Sequence, residues 1–224
     1  MTGERLTPEK NVREYAHELA YNLARERLSL IDDMERQCRN TGTKYLRPEK
    51  AVAIDYFSRS YRIAIPGGDI SFASGEETVP IKDKILILDY FTRAKGTPLS
   101  GKQITYKELH DGLNYFSVFA SRTINQIVKY FGDSPEQLPD AAAGLGGRKT
   151  ELGDVSVTIY AFPHAPVTVV LWRGDSEFPP EGSILFDSTV SDYLSNDDIH
   201  TLCENITWSL VRSLKSGGDK TDRR

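Results

Sequence analysis

Three apolar segments between residues 154 and 187 constrain the fold more than any other feature of the chain. They read VSVTIYAF, VTVVLWRG and GSILFDS; PHAP joins the first two, and an acidic turn precedes the third. A parallel pair of strands needs a crossover of about a dozen or more residues, and neither link is long enough to supply one. The sequence therefore predicts antiparallel strands over residues 154–187.

A second group of strands is predicted over residues 51–73. Val52, Ile54 and Tyr56 alternate with other residues, as the two faces of a strand require. The segment from Pro66 to Asp69 reads PGGD, a combination that favours a tight turn. We therefore expect a short antiparallel meander in this part of the chain.

The N-terminal part of the chain has the periodicity of a helix. Thr7 and Pro8 form a suitable N-cap and first-turn pair. Apolar residues then recur at helical intervals, with charged residues between them, at Val12, Tyr15, Leu19, Leu23, Ile31 and Met34. The pattern predicts one amphipathic helix, or two helices joined near Leu28 and Ser29.

Three further helices are predicted near residues 82–95, 114–131 and 196–214. In the first, the spacing of Ile85, Leu88 and Phe91 favours a helix over a strand. Ser195 and Asp198 resemble a capping box at the start of the last one. Helices, strands and helices follow in that order, which indicates an α+β fold. We predict a single domain over residues 1–214. Residues 215–224 contain no apolar side chain, so we predict a disordered tail there.

Composition excludes several classes of function. The net charge of −4 argues against a non-specific nucleic-acid-binding protein, which needs a basic face. No apolar stretch approaches the roughly 20 residues of a transmembrane helix, and the N-terminus lacks the apolar core of a signal peptide, so we expect a cytoplasmic protein with no membrane partner. Cys38 and Cys203 lie far apart, which excludes an iron–sulfur cluster or cysteine-ligated zinc within this chain and favours two buried thiols.

The acidic turn after the second of the three strands is a candidate metal site. Carboxylates at Asp175, Glu177 and Asp187 are the oxygen ligands that hard divalent cations prefer. The alternative is local: Asp175 accepts backbone hydrogen bonds in its turn, and Asp187 with Ser188 caps a short helix. Trp172 and Phe178 flank the turn and would wall a shallow pocket.

Two other segments suggest chemistry. His164 lies between Pro163 and Pro166, so its backbone is stiff, and it is a candidate axial ligand for a metal or haem-type group or else a surface turn residue. The segment AAAGLGGRKT lacks the Gly-Lys-Ser/Thr ending of a phosphate-binding loop and is interpreted as a flexible loop. No residue stands in a nucleophile-elbow context, which favours a non-enzymatic protein.

The chain contains the segments ILILDYFTRAKGTPLSGKQITYKEL and VTVVLWRGDSEFPPEGSILFDSTVSDYLSNDDI. Together they resemble an uncharacterised family of anaerobic bacteria and archaea, domain of unknown function family 3786. The resemblance runs from about Ile81 to Ile199, and its most specific part is the W-x-G-D-x-E-F-P turn with the downstream L-F-D. Some members resemble fusions to an iron–sulfur module similar to that of corrinoid iron–sulfur proteins. The resemblance thus implies corrinoid or one-carbon chemistry and a partner that carries the cluster.

Three hypotheses follow. The first is a ligand-binding or accessory domain, for a corrinoid or another tetrapyrrole in anaerobic metabolism, with its pocket at His164, Trp172, Asp175, Glu177, Phe178 and Asp187. The second is a metal-dependent enzyme acting on a phosphate or amide, with Asp175, Glu177 and Asp187 as ligands. The third is an adaptor whose strand edge or helix face docks an iron–sulfur partner protein.

Overall fold

A computed structural model describes residues 8–75 and 77–221. The helices are α1 (Pro8–Ser29), α2 (Met34–Thr41), α3 (Ile81–Arg93), α4 (Gly112–Arg122), α5 (Ile124–Phe131), α6 (Leu138–Ala142) and α7 (Asn196–Thr221). The strands are β1 (Lys44–Leu46), β2 (Ala51–Tyr56), β3 (Arg59–Ala64), β4 (Ile70–Phe72), β5 (Gln103–Thr105), β6 (Arg148–Thr150), β7 (Val155–Phe162), β8 (Ala165–Trp172) and β9 (Glu181–Asp187). Among these residues, no helix has the length and apolar character needed to span a bilayer.

The strands form two sheets, and every pairing is antiparallel. The first sheet has the order β1-β2-β3-β4, and the second has the order β5-β9-β8-β7-β6. The predicted α+β class and the antiparallel strands in both segments are therefore confirmed. The short links before and after β8 each join two neighbouring antiparallel strands, as their lengths predict.

A column of aromatic rings joins the two sheets in the core. Tyr56 at the end of β2 stacks on Phe162 of β7 with ring centroids 4.8 Å apart, and Phe162 stacks on Tyr90 of α3 at 4.2 Å. Tyr90 then stacks on Tyr193 at 5.8 Å. A backbone hydrogen bond of 3.1 Å from the amide of Phe57 to the carbonyl of Ala161 fixes the same junction. Stacked pairs of this kind add stability beyond the area that they bury.

The N-terminal pattern corresponds to two helices, which was the second of the two alternatives. α1 ends at Ser29, and α2 begins at Met34, where the Asp33 carboxylate accepts a hydrogen bond of 2.9 Å from the amide of Arg36. The predicted cap at Thr7 lies outside the described residues. Cys38 in α2 and Cys203 in α7 are free and buried, as predicted.

α1 packs on α3 through a face that the sequence pattern does not mark. Its buried residues are Tyr21, Ala24 and Leu28, and the Tyr21 hydroxyl donates a 2.9 Å hydrogen bond to the carbonyl of Gly68. The apolar residues predicted to form its stripe are instead exposed, with exposed fractions of 68 % at Val12, 69 % at Tyr15, 48 % at Leu19 and 45 % at Leu23. An amphipathic helix normally turns its apolar stripe to the core, and this one does not.

The helix predicted over 114–131 is broken at Thr123 into α4 and α5. Thr123 leaves the helical conformation, with φ −126° and ψ −82°. Its buried hydroxyl donates a 2.7 Å hydrogen bond to the carbonyl of Phe119. Threonine hydroxyls compete in this way with the hydrogen-bond ladder of a helix and bend it.

α7 begins at the predicted capping box. The amide of Ser195 donates to the Asp198 carboxylate at 3.0 Å, and the amide of Asp198 donates back to the Ser195 hydroxyl at 3.3 Å. Its predicted stripe is buried at Ile199, Leu202, Ile206 and Leu210. The helix continues to Thr221, so residues 215–221 are helical where we predicted a tail. Residues 222–224 lie outside the described residues.

Candidate functional site

The sequence-predicted site residues occupy two opposite ends of the five-stranded sheet. Near the turn between β8 and β9 lie Trp172, Asp175, Glu177 and Phe178. His164, in the turn before β8, and Asp187, at the end of β9, lie at the other end, because β8 and β9 are antiparallel. A strand of this length spans roughly 20–25 Å. The structure therefore does not bring the six residues together into one pocket.

Asp175 closes its own turn. Its carboxylate accepts hydrogen bonds from the amides of Glu177 at 2.7 Å and Phe178 at 2.8 Å, and these bonds lower its pKa. The amide of Asp175 donates to the carbonyl of Phe178 at 2.8 Å. The Glu177 side chain is exposed, and the Phe178 side chain has an exposed fraction of 66 %. The local alternative thus accounts for the carboxylate of Asp175.

The surface beside this turn is an open, polar depression of about 460 Å³. Asp175, Glu177 and Phe178 line it, together with Asp133, which follows the end of α5. Trp172 is half exposed but is not part of this lining. Little apolar surface is therefore available to hold a small molecule here.

Asp187 is saturated with hydrogen bonds. Its carboxylate accepts bonds from the amide and hydroxyl of Ser100 at 3.1 and 2.9 Å, from the amide of Gly101 at 2.8 Å, and from the amide and hydroxyl of Thr189 at 3.0 and 2.7 Å. Desolvation opposes ionisation, but these bonds outweigh it and hold the pKa of Asp187 at about 2. Asp187 thus fastens the loop before β5 to the end of β9. The predicted short helix is a single 3-10 turn, Val190–Asp192, preceded by Thr189 rather than capped by Ser188.

The predicted metal site is not assembled. Asp175 and Asp187 lie at opposite ends of β9. Among residues 8–75 and 77–221, no group of three or more His, Cys, Asp or Glu side chains is arranged to hold a metal ion.

His164 is half-buried in the turn between β7 and β8. Its ring packs against Tyr193 with centroids 5.5 Å apart, and its amide donates to the Tyr90 hydroxyl at 3.1 Å. Desolvation lowers the pKa of the imidazole, so it is neutral at pH 7. A Cβ added at Gly42 would lie only 3.1 Å from Nε2, which shows that this nitrogen faces the backbone at Gly42.

A second cavity, which sequence reasoning missed, has the features expected of a small-molecule site. This α3–α7 cleft encloses about 560 Å³ between α1, the β2–β3 hairpin, the first turn of α3, the glycine-rich segment after α6, and α7. Its lining is mostly apolar, with a few polar groups that converge on Asp83. Pockets of this size and composition are typical of ligand sites.

Three side chains from distant parts of the chain form a closed ring of hydrogen bonds in the cleft. The Tyr56 hydroxyl donates to Oδ1 of Asp83 at 3.3 Å. Nδ2 of Asn205 donates to the same Oδ1 at 3.0 Å and to the Tyr56 hydroxyl at 3.0 Å. Burial raises the pKa of Asp83, while the Tyr56 hydrogen bond and the charges of Arg212 and Lys82 oppose the rise. Desolvation and the neighbouring carboxylate also hold the pKa of Tyr56 well above its usual range.

The ring leaves hydrogen-bonding capacity unused. In the described part of the chain, neither Oδ2 of Asp83 nor Oδ1 of Asn205 accepts a hydrogen bond. The hydroxyl of Tyr61, a cleft residue with an exposed fraction of only 4 %, likewise has no partner among these residues. None of these three atoms is fully buried, so each is open to a molecule that enters the cleft from solution.

The cleft is positively charged although the whole chain is acidic. Arg59, Lys82 and Arg212 line it together with His17, whereas Asp83 is the only carboxylate among the described residues of the lining. Arg59 is partly neutralised by an ion pair of 3.0 Å with Glu77. In a chain with a net charge of −4, this local excess attracts an anionic group into the cleft.

Two turns shape the cleft wall. The β2–β3 hairpin reverses at Phe57 and Ser58, which have φ values of 49° and 57°, and pairs Tyr56 directly with Arg59. Gly146, with φ 71°, lies so close that an added Cβ would be 2.0 Å from the Ser58 hydroxyl. The segment AAAGLGGRKT, predicted to be a flexible loop, is instead the end of α6, a 3-10 turn and β6. The prediction was wrong because α6 packs on α7 and β7 and β6 pairs with β7, and these contacts order the segment.

A smaller cavity of about 410 Å³ adjoins the cleft and shares His17 and Lys82 with it. It contains Asp89 and Asp198, whose side chains are almost fully buried. Burial, then the charge of Asp198, raises the pKa of Asp89 to about 6, although the positive charges of Arg27 and Arg93 oppose the rise. One sequence signal could have identified Asp89: it is a charged residue within the apolar run ILILDYF.

Comparison with known families identifies one match. A family model described as Domain of unknown function (DUF3786) matches residues 33–208. No curated protein and no solved structure matches the chain. The matched segment contains Tyr56, Asp83 and Asn205 and excludes all of α1.

Proposed function

The chain belongs to the family described as Domain of unknown function (DUF3786), and we propose that it is a small-molecule-binding domain whose ligand occupies the α3–α7 cleft. The observation that carries this proposal is the Tyr56–Asp83–Asn205 ring, whose unused acceptors, Oδ2 of Asp83 and Oδ1 of Asn205, are open to the cleft. The hydrogen bonds within the ring hold these acceptors in fixed positions, which favours a ligand with a matching donor. A ligand that completes the network gains those bonds.

The lining defines the chemical class of the ligand. Oδ2 of Asp83 and Oδ1 of Asn205 require a donor, such as an amino or amide N–H. Lys82 and Arg212 favour a carboxylate or phosphate, and Arg212 is already oriented by a 2.9 Å hydrogen bond to Ser209. Phe57 and Leu145 supply apolar surface. The ligand is therefore an organic acid or phosphate that carries an N–H donor and a compact apolar or planar body.

Thermal denaturation with a panel of compounds tests the proposal. The panel contains nucleoside monophosphates, aromatic amino acids and amino-substituted heterocyclic carboxylates, because a ligand that binds the folded state raises the melting temperature. We expect stabilisation by at least one class, and we expect Asp83→Asn to remove it. Asp175→Asn, the same chemical change in the acidic turn, is the matched control and should leave the stabilisation intact.

Two outcomes contradict the proposal. The first is stabilisation that survives Asp83→Asn but disappears in Asp175→Asn, which would assign the ligand to the acidic turn. The second is no stabilisation by any class at millimolar concentration, together with native mass spectra of the purified protein that contain no bound small molecule.

A corrinoid or haem-type tetrapyrrole is a separate proposal that rests on the family resemblance alone. His164 does not fit the role of axial ligand, since its Nε2 faces the backbone at Gly42. Titration with cobalamin and with haem tests the proposal directly. Unchanged visible absorption and an unchanged melting temperature would dismiss it.

The remaining functional predictions are also proposals. An iron–sulfur or corrinoid partner protein rests on the resemblance and is tested by co-purification from the native host. A metal-dependent activity at Asp175, Glu177 and Asp187 has no support from their positions, because Asp187 lies at the far end of β9. The cytoplasmic location likewise stays a prediction.

A further inference from the structure

Three hydrogen-bonding atoms of the α3–α7 cleft have no partner in the described part of the chain. Oδ2 of Asp83 is one of them, because the hydrogen bonds from Tyr56 and Asn205 both end on Oδ1. Oδ1 of Asn205 is the second. A carboxylate can only accept, so Nδ2 of Asn205 must face Asp83, and the carbonyl oxygen is left as an acceptor. The third atom is the hydroxyl oxygen of Tyr61.

Tyr61 is the donor among these three residues. Its aromatic ring packs against Phe72 at 4.8 Å and Tyr56 at 6.0 Å, measured between ring centroids. Only 4 % of the residue is exposed, yet its hydroxyl is open to the cleft and has no hydrogen-bond partner among the described residues. Burial, then the negative charge of Asp83, raises the pKa of Tyr61, so the hydroxyl keeps its proton at pH 7 and can donate it to a ligand.

Tyr61 and Tyr56 stand on the same wall of the cleft. The register pairs Tyr61 with Ile54 and Tyr56 with Arg59 on the neighbouring strand, so the two tyrosines lie on one face of the β2–β3 hairpin. The side chains that carry the two acceptors are both hydrogen-bonded to the Tyr56 hydroxyl. One donor and two acceptors therefore line the same part of the cleft.

The positive side chains of the cleft lie nearer to solvent than this set. Lys82 and Arg212 are exposed, whereas Tyr61 is buried and Asp83 and Asn205 are half-buried. Arg212 follows Asn205 by seven residues on α7, which places it about 10 Å farther along the helix axis. The cleft thus combines a hydrogen-bonding set inside with positive charge at its mouth.

We propose that the ligand presents the edge of a guanine-type ring, the amino-oxo-pyrimidine that guanine and the pterins share, and that Tyr61 is a specificity-determining residue. The inference rests on the proposed ligand-binding function of the cleft and names the ligand class. The edge carries two donors, the exocyclic amino group and the ring N–H, beside a carbonyl oxygen. The donors match Asp83 and Asn205, and the carbonyl oxygen accepts from Tyr61.

Other bases match this set less well. Adenine and cytosine each offer one donor group on the corresponding edge, so one acceptor of the cleft stays unpaired and binding is weaker. Phe57 and Leu145 provide apolar surface for a flat ring system, and Lys82 and Arg212 attract a phosphate or carboxylate attached to it. The volume of about 560 Å³ accommodates a molecule of this size.

Isothermal titration of the full chain with three mononucleotides tests the proposal. We expect guanosine monophosphate to bind, inosine monophosphate, which lacks the amino group, to bind about tenfold more weakly, and adenosine monophosphate to bind about a hundredfold more weakly. Folic acid, a pterin with a carboxylate tail, distinguishes the two sources of the guanine-type ring. Tighter binding of folic acid than of guanosine monophosphate would identify a pterin as the ligand, and the reverse would identify a nucleotide.

Tyr61→Phe tests the contact with the carbonyl oxygen. The variant should bind guanosine monophosphate about tenfold more weakly, and its melting temperature without ligand should be unchanged, because the lost hydroxyl has no partner in the described part of the chain. Tyr160→Phe is the matched control, since Tyr160 is 46 % exposed and lies outside the cleft lining. It should leave the affinity unchanged.

A ligand analogue sharpens this test. Thioguanosine monophosphate carries sulfur, a weak acceptor, in place of the carbonyl oxygen. The wild type should prefer guanosine monophosphate over this analogue, whereas Tyr61→Phe should bind the two equally. A preference of the same size in Tyr61→Phe, or wild-type affinity of this variant for guanosine monophosphate, would overturn the proposal.

Two outcomes separate this inference from the proposed function. Equal binding of the three mononucleotides that Asp83→Asn abolishes would show that the cleft does not read the base edge. Stabilisation by another class of compound, lost in Asp83→Asn, without binding of guanosine monophosphate or folic acid would show that the ligand is of a different class. Either outcome would overturn the inference and leave the proposed function standing, whereas no stabilisation by any compound would contradict both.

Discussion

The acidic turn after β8 and the α3–α7 cleft both contain carboxylates and aromatic rings, but they use their polar groups differently. In the segment from Trp172 to Asp187, the carboxylates of Asp175 and Asp187 bind backbone amides close to them. In the cleft, Asp83 meets side chains from β2 and α7 and keeps one oxygen free. A distinctive sequence segment can thus serve the geometry of the fold, while the candidate site forms where the sequence is unremarkable.

This difference predicts a division of effects. Substitutions in the segment from Trp172 to Asp187 should lower stability and leave ligand binding in the cleft unchanged. Substitutions in the Tyr56–Asp83–Asn205 ring should impair binding at a smaller cost in stability.

The largest effect is expected for Asp187→Ala. The substitution removes an acceptor from three backbone amides and two hydroxyls, and we expect a loss of about 3 kcal/mol in the free energy of unfolding. Urea denaturation at pH 7 measures it. Because the folded-state pKa of about 2 lies below the usual value of 3.8, this stabilisation is present above pH 4 and is lost as the pH falls toward 2. A loss of ligand affinity in the folded variant would contradict the predicted separation of effects on stability from effects on ligand binding.

Asp89 should show the opposite pH dependence. Its folded-state pKa of about 6 lies above the usual 3.8, so the folded state binds the proton more tightly and stability falls as the pH rises from about 4 to above 6. We expect a change of about 2 kcal/mol across this range, which Asp89→Asn should largely remove. Melting temperatures between pH 4 and 8 give the comparison. If the melting temperature of Asp89→Asn still falls as the pH rises across this range, Asp89 is not the cause of the pH dependence.

Tyr56→Phe should cost about 1 kcal/mol or less, because the phenyl ring keeps its place on Phe162 and Asn205 still binds Asp83. The same change removes one donor from Asp83 and should weaken a cleft ligand severalfold. Isothermal titration with any stabilising compound from the panel measures both affinity and stoichiometry. Unchanged affinity would show that the ring is only structural.

The smallest effect is expected for Asp175→Ala. Its turn lies at the surface, where water replaces the lost acceptor, so the melting temperature should fall by less than in Asp187→Ala. Magnesium, calcium and manganese should leave the melting temperatures of the wild type and the variant unchanged. Stabilisation of the wild type alone would restore the acidic turn as a metal site.

The sequence predicted most of the fold because the relevant signals are local. Short links determined the direction of the strands, and the Ser195–Asp198 pair located the start of α7. The break at Thr123 escaped because threonine also occurs within unbroken helices, so its presence in the sequence does not show that its hydroxyl will bend the helix. The tail was misassigned because residues 215–221 continue a helix that their composition does not favour.

The candidate site could not be predicted for a different reason. Tyr56, Asp83 and Asn205 meet only when β2, α3 and α7 are assembled, and no spacing along one segment encodes that meeting. The orientation of α1 escaped in a related way. Periodicity reveals that Val12 to Leu23 share a face, but Tyr21, Ala24 and Leu28 decide which face meets the protein.

The column of rings from Tyr56 to Tyr193 gives the molecule a built-in optical reporter. Four aromatic side chains held in fixed mutual orientations across both sheets should produce a near-ultraviolet circular dichroism signal that depends on close packing. If that signal and the far-ultraviolet signal disappear at the same temperature, the two sheets melt as one cooperative unit. The column would then couple the stability of the four-stranded sheet to that of its larger neighbour.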